Sequence, residues 1–191
     1  MTLAEIIREV APMSDEGLSL LEPLLTEESV PAGSMIIKEG ATSKYLYFIR
    51  SGCLRNFALE EDGHETTRWF ATDGDLVASM YSFAAGEPAI ASVEALTDVV
   101  LYKARIQDIK RLIEESHEWA LWGCRYLCDG LYVLERRYTF LGHGDAMTRY
   151  LNLQRMRTFE ILNKIPLQYI ASYLGITPQT LSRVRRRLAE G

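Results

Sequence analysis

Gln179, Arg183 and Arg186 follow one another at spacings of 4 and 3 residues, with Arg185 and Arg187 flanking them. On a helix that spacing collects the three side chains on one face. Arginine pairs with the edge of guanine in the major groove and glutamine with that of adenine, while further arginines neutralise phosphates. Those residue types in that pattern point to non-covalent recognition of a polyanion that carries base edges.

The elements that must position this face lie in the segment LQYIASYLGITPQTLSRVRRRL, residues 167–188. Leu167, Ile170, Ala171 and Leu174 form an apolar stripe on a first helix, and Ala171 is small where two helices must cross. Gly175 suits the left-handed conformation of a sharp turn, and Ile176 can plug the corner. Thr177 is placed as an N-cap with Pro178 at the first helical position. Leu181, Val184 and Leu188 then turn inward on a second helix. This is the pattern of a helix-turn-helix. The bland alternative is a solvated basic helix after a helical hairpin, and the agreement of cap, turn and both stripes in one register weighs against it.

Charge along the chain supports the same division. The whole sequence of 191 residues carries a net charge of -5, which taken as an average argues against a polyanionic partner. Residues 1–116 hold 10 Lys and Arg against 20 Asp and Glu, residues 117–143 hold three of each, and residues 144–191 hold eight against three. An acidic body with a basic end is the asymmetry of a chain in which one part meets a polyanion.

Upstream, two short helices are expected between residues 3 and 28: Leu3, Ile6, Ile7 and Val10, then Leu18, Leu21, Leu24 and Leu25. Strand-like runs follow in SMIIKEG, KYLYFIRSG, CLRNFALEEDG, HETTRWFATDG and SVEALTDVVLYKA, separated by Gly33, Gly40, Gly52, Gly63 and Gly74. That rhythm predicts an antiparallel sandwich or roll. Beyond about residue 105 the pattern turns helical. His117, Ala120, Cys124, Leu127, Leu131, Leu134, Tyr138 and Leu141 are spaced 3, 4, 3, 4, 3, 4, 3. This heptad seam asks for a partner helix, and a symmetric dimer is expected through Ala120, Cys124, Leu127, Leu131, Leu134, Tyr138 and Leu141. Trp119, Tyr126, Val133 and Phe140 repeat on an adjoining face that could pack on the strand domain. The segment Gly142-His143-Gly144 reads as a hinge, and Asp145 as the N-cap of a helix to about Leu162. The fold class is α+β: a β-roll domain over 1–116, a long helix over 117–141 and a helix-turn-helix domain over 144–191.

With these motifs in hand, the chain resembles the Crp/Fnr superfamily of bacterial transcription regulators over essentially its full length. The stretches that carry the resemblance are PAGSMIIKEGATSKYLYFIRSGCLR, the heptad helix and IASYLGITPQTLSRVRRRL. The resemblance implies a cyclic-nucleotide-binding-like sensor roll, a dimer helix and a winged helix-turn-helix. It also implies double-stranded DNA with a near-palindromic operator, a second copy of the chain and RNA polymerase as partners. By register the family's base-contacting positions fall on Pro178, Gln179 and Arg183, so only the last matches closely and a different operator is expected. Thr177, Gln179, Thr180, Arg183, Arg185, Arg186 and Arg187 form the expected DNA-binding set, with Gln179 and Arg183 reading bases and Thr180 and Arg185 to Arg187 holding the backbone. After the second helix only Ala189, Glu190 and Gly191 remain in this sequence, so the chain is expected to fall in a compact subgroup lacking the usual wing.

The family's cyclic-nucleotide cassette requires a Gly-Glu pair for the ribose and an Arg followed by Ser or Thr for the phosphate. Here Ala78-Ser79 and Ala89-Ile90 occupy those places, and no Arg or Lys lies between Arg68 and Lys103. The roll is therefore expected not to bind cyclic AMP in the usual way, and any small-molecule effector is unknown. Arg55 and Arg68 could serve an anion from another wall, with solvated surface arginines as the ordinary reading. Three cysteines are too few for an iron–sulfur cluster, and the three histidines are scattered, so no metal and no cofactor are expected. Cys124 and Cys128, one helical turn apart, could make a thiol pair, but such cysteines more often serve as small core hydrophobes. No cluster suited to hydrolytic or oxygenase chemistry stands out, and no enzyme is expected. A nucleotide-sensing interaction module is the second class weighed. The odd cysteine count and the absence of a signal-peptide or membrane-spanning run predict a cytoplasmic protein without a membrane partner.

Overall fold

A computed structural model describes residues 1–142, 144–155 and 165–190, with the side chains of 140–142 excepted. Helix α1 (Leu3–Val10) begins at a capping box: the Thr2 hydroxyl accepts from the Glu5 N–H, and the Glu5 carboxylate accepts from the Thr2 N–H at 2.8 Å. Helix α2 (Asp15–Leu21) is capped by Ser14. The second helix expected from the sequence ends sooner than predicted. Pro23 sits in a 3-10 turn over Glu22–Leu24, and Leu25, expected on a helix, opens strand β1 (Leu25–Val30). The polar sequence of β1 leaves four consecutive residues exposed, so it lacks the alternation that marks a strand.

The roll continues with β2 (Met35–Ile37), β3 (Tyr45–Ser51), β4 (Leu54–Leu59), β5 (Glu65–Ala71) and β6 (Leu76–Val77). Helix α3 (Met80–Ala85) follows, and then β7 (Ser92–Ala95) and β8 (Val99–Arg105). Among the described residues all pairings are antiparallel, in two four-stranded sheets of order β1-β8-β3-β6 and β2-β7-β4-β5. The expected roll is present. Its glycine rhythm has a steric cause at Gly52, where φ is +112° and an added Cβ would lie 2.6 Å from the Asp98 carbonyl. Ile49, Leu54, Val93 and Leu101 fill the space between the sheets.

Helix α4 (Ile106–Glu115) leads into the long helix α5 (His117–Gly142), 26 residues or roughly 39 Å. The first half of α5 is fastened to the roll. The Trp119 indole N–H donates to the Gly17 carbonyl at 2.9 Å and that of Trp122 to the Ile7 carbonyl at 2.8 Å. Trp122 stacks on Tyr126, whose hydroxyl donates to the Leu76 carbonyl. Trp119 and Tyr126 thus pack on the strand domain as the adjoining stripe predicted, whereas Val133 farther along is exposed.

Helix α6 (Ala146–Gln154) starts at Asp145, whose carboxylate accepts from the Thr148 N–H at 2.9 Å. The expected continuation of this helix to Leu162, like His143 of the expected hinge, lies outside the described residues. Helices α7 (Leu167–Leu174) and α8 (Pro178–Glu190) follow. No described helix is long and apolar enough to cross a membrane.

Candidate nucleic-acid interface

The helix-turn-helix is built as its residues dictate. Ile170, Ala171 and Leu174 of α7 and Leu181 and Val184 of α8 are buried together, with Tyr150 and Leu153 of α6 beneath them. Leu188 lies at the rim, half exposed. Gly175 takes φ 63° and ψ 38°, and the Ile176 N–H returns to the Ala171 carbonyl at 3.0 Å, closing the end of α7. Arg149 of α6 adds a second closure by donating to the Leu174 carbonyl at 2.9 Å.

At the start of α8 the Thr177 hydroxyl accepts from the Thr180 N–H at 3.2 Å, and Pro178 occupies the first helical position. The Thr177 and Thr180 hydroxyls are 3.0 Å apart, and Arg183 Nη2 reaches Thr180 Oγ1 at 3.5 Å. The exposed side chains on this face are Thr177, Gln179, Arg183, Arg186 and Arg187, with Thr180 half buried among them. Arg186 is held 4.0 Å from Glu190 one turn on, a solvated contact that leaves it available. Arg185 stands apart from this set. Its guanidinium lies over the Tyr150 ring at 5.5 Å, and its Nε and Nη2 are buried without a hydrogen-bond partner among the described residues. Its side chain therefore packs toward α6 rather than the open face.

Helix α7 also docks on the roll. Ser172 Oγ accepts from the Thr67 N–H at 2.9 Å and donates to the Glu65 carbonyl at 3.0 Å, occupying free backbone groups of the edge strand β5. Tyr173 meets Phe70 edge to face at 5.4 Å. Arg55, read from the sequence as an ordinary solvated arginine, is only 2% exposed. It pairs with Glu94 at 2.7 Å and Glu65 at 2.6 Å, and its guanidinium lies between the rings of Phe57 and Tyr169. A single sequence shows neither the carboxylates nor the tyrosine that converge on it, so this contact was missed.

On α5 the expected dimer seam is divided. Ala120 is half buried, whereas Cys124, Leu127, Leu131, Leu134 and Tyr138 are exposed in the single chain. The side chain of Leu141 lies outside the described residues. Cys124 and Cys128 are exposed free thiols rather than core hydrophobes, and Cys53 is the buried one, its thiol pushed up to about 12 by burial. No cluster of metal-ligating side chains occurs among the described residues.

The four cassette positions Ala78, Ser79, Ala89 and Ile90 all line one cavity of about 280 Å³. Ser79 uses its hydroxyl to cap α3, accepting from the Ser82 N–H at 3.2 Å. None of these four residues carries a charge.

With this geometry in place, comparison with known proteins is direct. Residues 27–116 match the family described as "Cyclic nucleotide-binding domain". The chain is 26% identical over 187 residues to the "Probable transcriptional regulator flp" of Lacticaseibacillus casei, covering 93% of this chain and 83% of that one. It superposes on FixK2 from Bradyrhizobium japonicum with a TM-score of 0.72 at 22% identity, covering 87% of this chain and 85% of the other. A protein described as a regulator of the Crp/Fnr family from Eubacterium rectale gives a TM-score of 0.66 at 21% identity, covering 96% of this chain and 89% of the other. The chain shares the fold of these solved structures: a roll whose residues 27–116 match a cyclic-nucleotide-binding domain, a long helix and a C-terminal helix-turn-helix.

Proposed function

We propose that the chain is a non-catalytic, cytoplasmic transcription regulator that binds double-stranded DNA as a homodimer and does not respond to cyclic AMP in the usual way. The observation that carries this reading is the α7–turn–α8 unit, with Gln179, Arg183, Arg186 and Arg187 exposed on a helix whose opposite face is buried. Gln179 and Arg183 read base edges; Thr177, Thr180, Arg186 and Arg187 hold the phosphate backbone. Arg185 steadies α8 against Tyr150 and reaches phosphate only if it leaves that ring.

Pairing of α5 with its copy accounts for the row Leu127, Leu131, Leu134 and Tyr138, which is exposed in the single chain and keeps heptad spacing. A dimer sets two recognition helices into successive major grooves, with half-sites roughly 34–36 Å apart. The parts act as a sensor roll over 1–116, a dimer helix over 117–141 and a DNA-binding domain over 144–191. RNA polymerase is a further partner of this reading. The uncharged residues Ala78, Ser79, Ala89 and Ile90 support the indifference to cyclic AMP bound in the usual way, because that mode holds the cyclic phosphate by a cation within the cassette itself.

Selection of bound fragments from a random DNA pool tests the central claim. Enrichment of a near-palindrome, retarded in a gel by wild-type protein with and without cyclic AMP alike, is expected. Recovery of no sequence preference would remove the specific regulator reading.

A further inference from the structure

The cavity at the cassette positions carries cations that the cassette does not. Between Asn56↔Trp69 and Phe57↔Thr67 the pairing of β4 and β5 shifts register, and Arg68 is the residue skipped. A bulge of this kind re-aims a side chain, and Arg68 and its neighbour Trp69 both line the cavity. Arg137 comes to the same cavity from α5, one helical turn beyond Leu134, which also lines it. Both arginines are half buried, and neither forms an ion pair with a carboxylate among the described residues. Two like charges facing one small space, with no carboxylate paired to either among the described residues, favour an anion between them. Burial, and beyond it the nearness of Arg68, lowers the Arg137 guanidinium from its ordinary value.

A further polar group points the same way. Asn56 is 7% exposed, and its backbone is paired with β5 and β7. The residue lines the cavity, and an amide offers both a donor and an acceptor. The remaining wall is apolar, with Ile37, Val93 and the Trp69 ring. At about 280 Å³ the space stands at the small end of ligand pockets. A larger groove of about 530 Å³ beside Lys44, Arg105 and Lys110 is different in kind. Lys44 and Arg105 there are exposed, and the buried Ser82 hydroxyl is already bonded to Glu87 and Ser43.

We propose that this cavity binds a small organic anion, a carboxylate or phosphate monoester on a flat apolar body, held by Arg68, Arg137 and Asn56. The anion accepts from the two guanidinium groups, Asn56 bonds a polar edge of the ligand, and the body lies against Trp69. Arg137 also stands 4.9 Å from the ring centroid of Tyr173 on α7. An anion that draws Arg137 into the cavity therefore competes with the seat of the helix-turn-helix. That consequence rests on the regulator reading, whereas the binding step does not.

Titration of the full chain, without DNA, with phenyl phosphate, benzoate and inorganic phosphate tests the proposal, read by calorimetry and by Trp69 fluorescence against a Trp69→Phe control. Benzyl alcohol serves as the neutral counterpart. Saturable binding of phenyl phosphate or benzoate, with no binding of benzyl alcohol, is expected. The stronger of the two organic anions identifies the headgroup, and binding by inorganic phosphate alone would refute the apolar body. Arg68→Gln and Arg137→Gln should each weaken binding about ten-fold or more. Should Arg137→Gln fail to fold, Arg68→Gln on the bulge carries the same readout. Equal binding of benzyl alcohol, unchanged binding by the folded variants, or no saturation by any of the three anions tighter than about 1 mM would overturn the proposal. Loss of DNA binding in a separate assay would leave these outcomes standing.

Discussion

The guanidinium carbon of Arg55 lies 3.9 Å from the ring centroid of Tyr169, joining the centre of a β-sheet to the first helix of the helix-turn-helix. The opposite face of the same guanidinium covers Phe57, and its edge meets Glu94 and Glu65. Removing the side chain leaves Glu94 largely buried without its cation, which costs far more than a surface pair. Arg55→Ala should destabilise the protein by about 3 kcal/mol, seen as a lower urea midpoint at unchanged slope. Arg55→Lys should rescue little, since an ammonium cannot be sandwiched between two rings while pairing with two carboxylates. A variant as stable as the wild type would show that the contact is decorative.

Division of labour on α8 is measurable. Arg183→Ala should lose about 1–3 kcal/mol of discrimination between operator and altered sites, while Arg187→Ala weakens all DNA similarly and lowers the salt slope by about one. Arg185→Ala, because that side chain lies on Tyr150, should act on thermal stability more than on DNA affinity. Competition assays with specific and random duplexes, repeated at several salt concentrations, separate the three.

Pairing through α5 predicts a concentration-dependent mass. Leu131 is 66% exposed in the single chain, so Leu131→Glu should leave the fold intact and displace the sedimentation profile toward monomer. An unshifted profile would contradict the seam.

Thiol chemistry should divide the cysteines cleanly. Cys53 is buried, and its thiol is pushed up to about 12 by desolvation and then by the Asp75 and Asp73 charges. Cys124 and Cys128 are exposed in the single chain. Aromatic disulfide reagents at mildly alkaline pH should modify Cys124 and Cys128 quickly, and Cys53 only on unfolding. Slower reaction of Cys124 at high protein concentration would follow from its place on the seam.

Acid should loosen the N-terminal helices from α5. Glu118 accepts from the Ser14 N–H at 2.6 Å and the Ser14 hydroxyl at 2.7 Å, and these bonds hold its carboxyl below the ordinary 4.5. A carboxyl lowered in the folded state contributes stability that is full above the unfolded value near 4.5 and is lost as pH falls through the lower folded value. Glu118→Gln should therefore flatten the acid limb of the melting curve below about pH 4.5 and matter least at the acid extreme.

Much of the helix-turn-helix was legible because its signals are local: Gly175 at the turn, Thr177 at the cap, Pro178 after it, and stripes in one register. The roll was legible through its glycine-marked turns. Strand β1 was hidden because both its faces are largely polar, and Pro23 shortened a helix whose leucines kept helical spacing. The seating of Arg55 and the bulge at Arg68 depend on residues 10 to about 114 positions away and on pairing register, which no local pattern records. Arg185 kept outward company in sequence but turned to an aromatic ring that only the tertiary fold supplies.

Ser172 has a consequence for how the chain meets its neighbours in solution. By taking the Thr67 N–H and the Glu65 carbonyl it covers part of a sheet edge that would otherwise be open to a foreign strand. Each excursion of the helix-turn-helix away from the roll unseals that edge. The docked arrangement thus guards against strand-to-strand association, and chains shortened before α7, or weakened at Ser172, carry an exposed seed for aggregation.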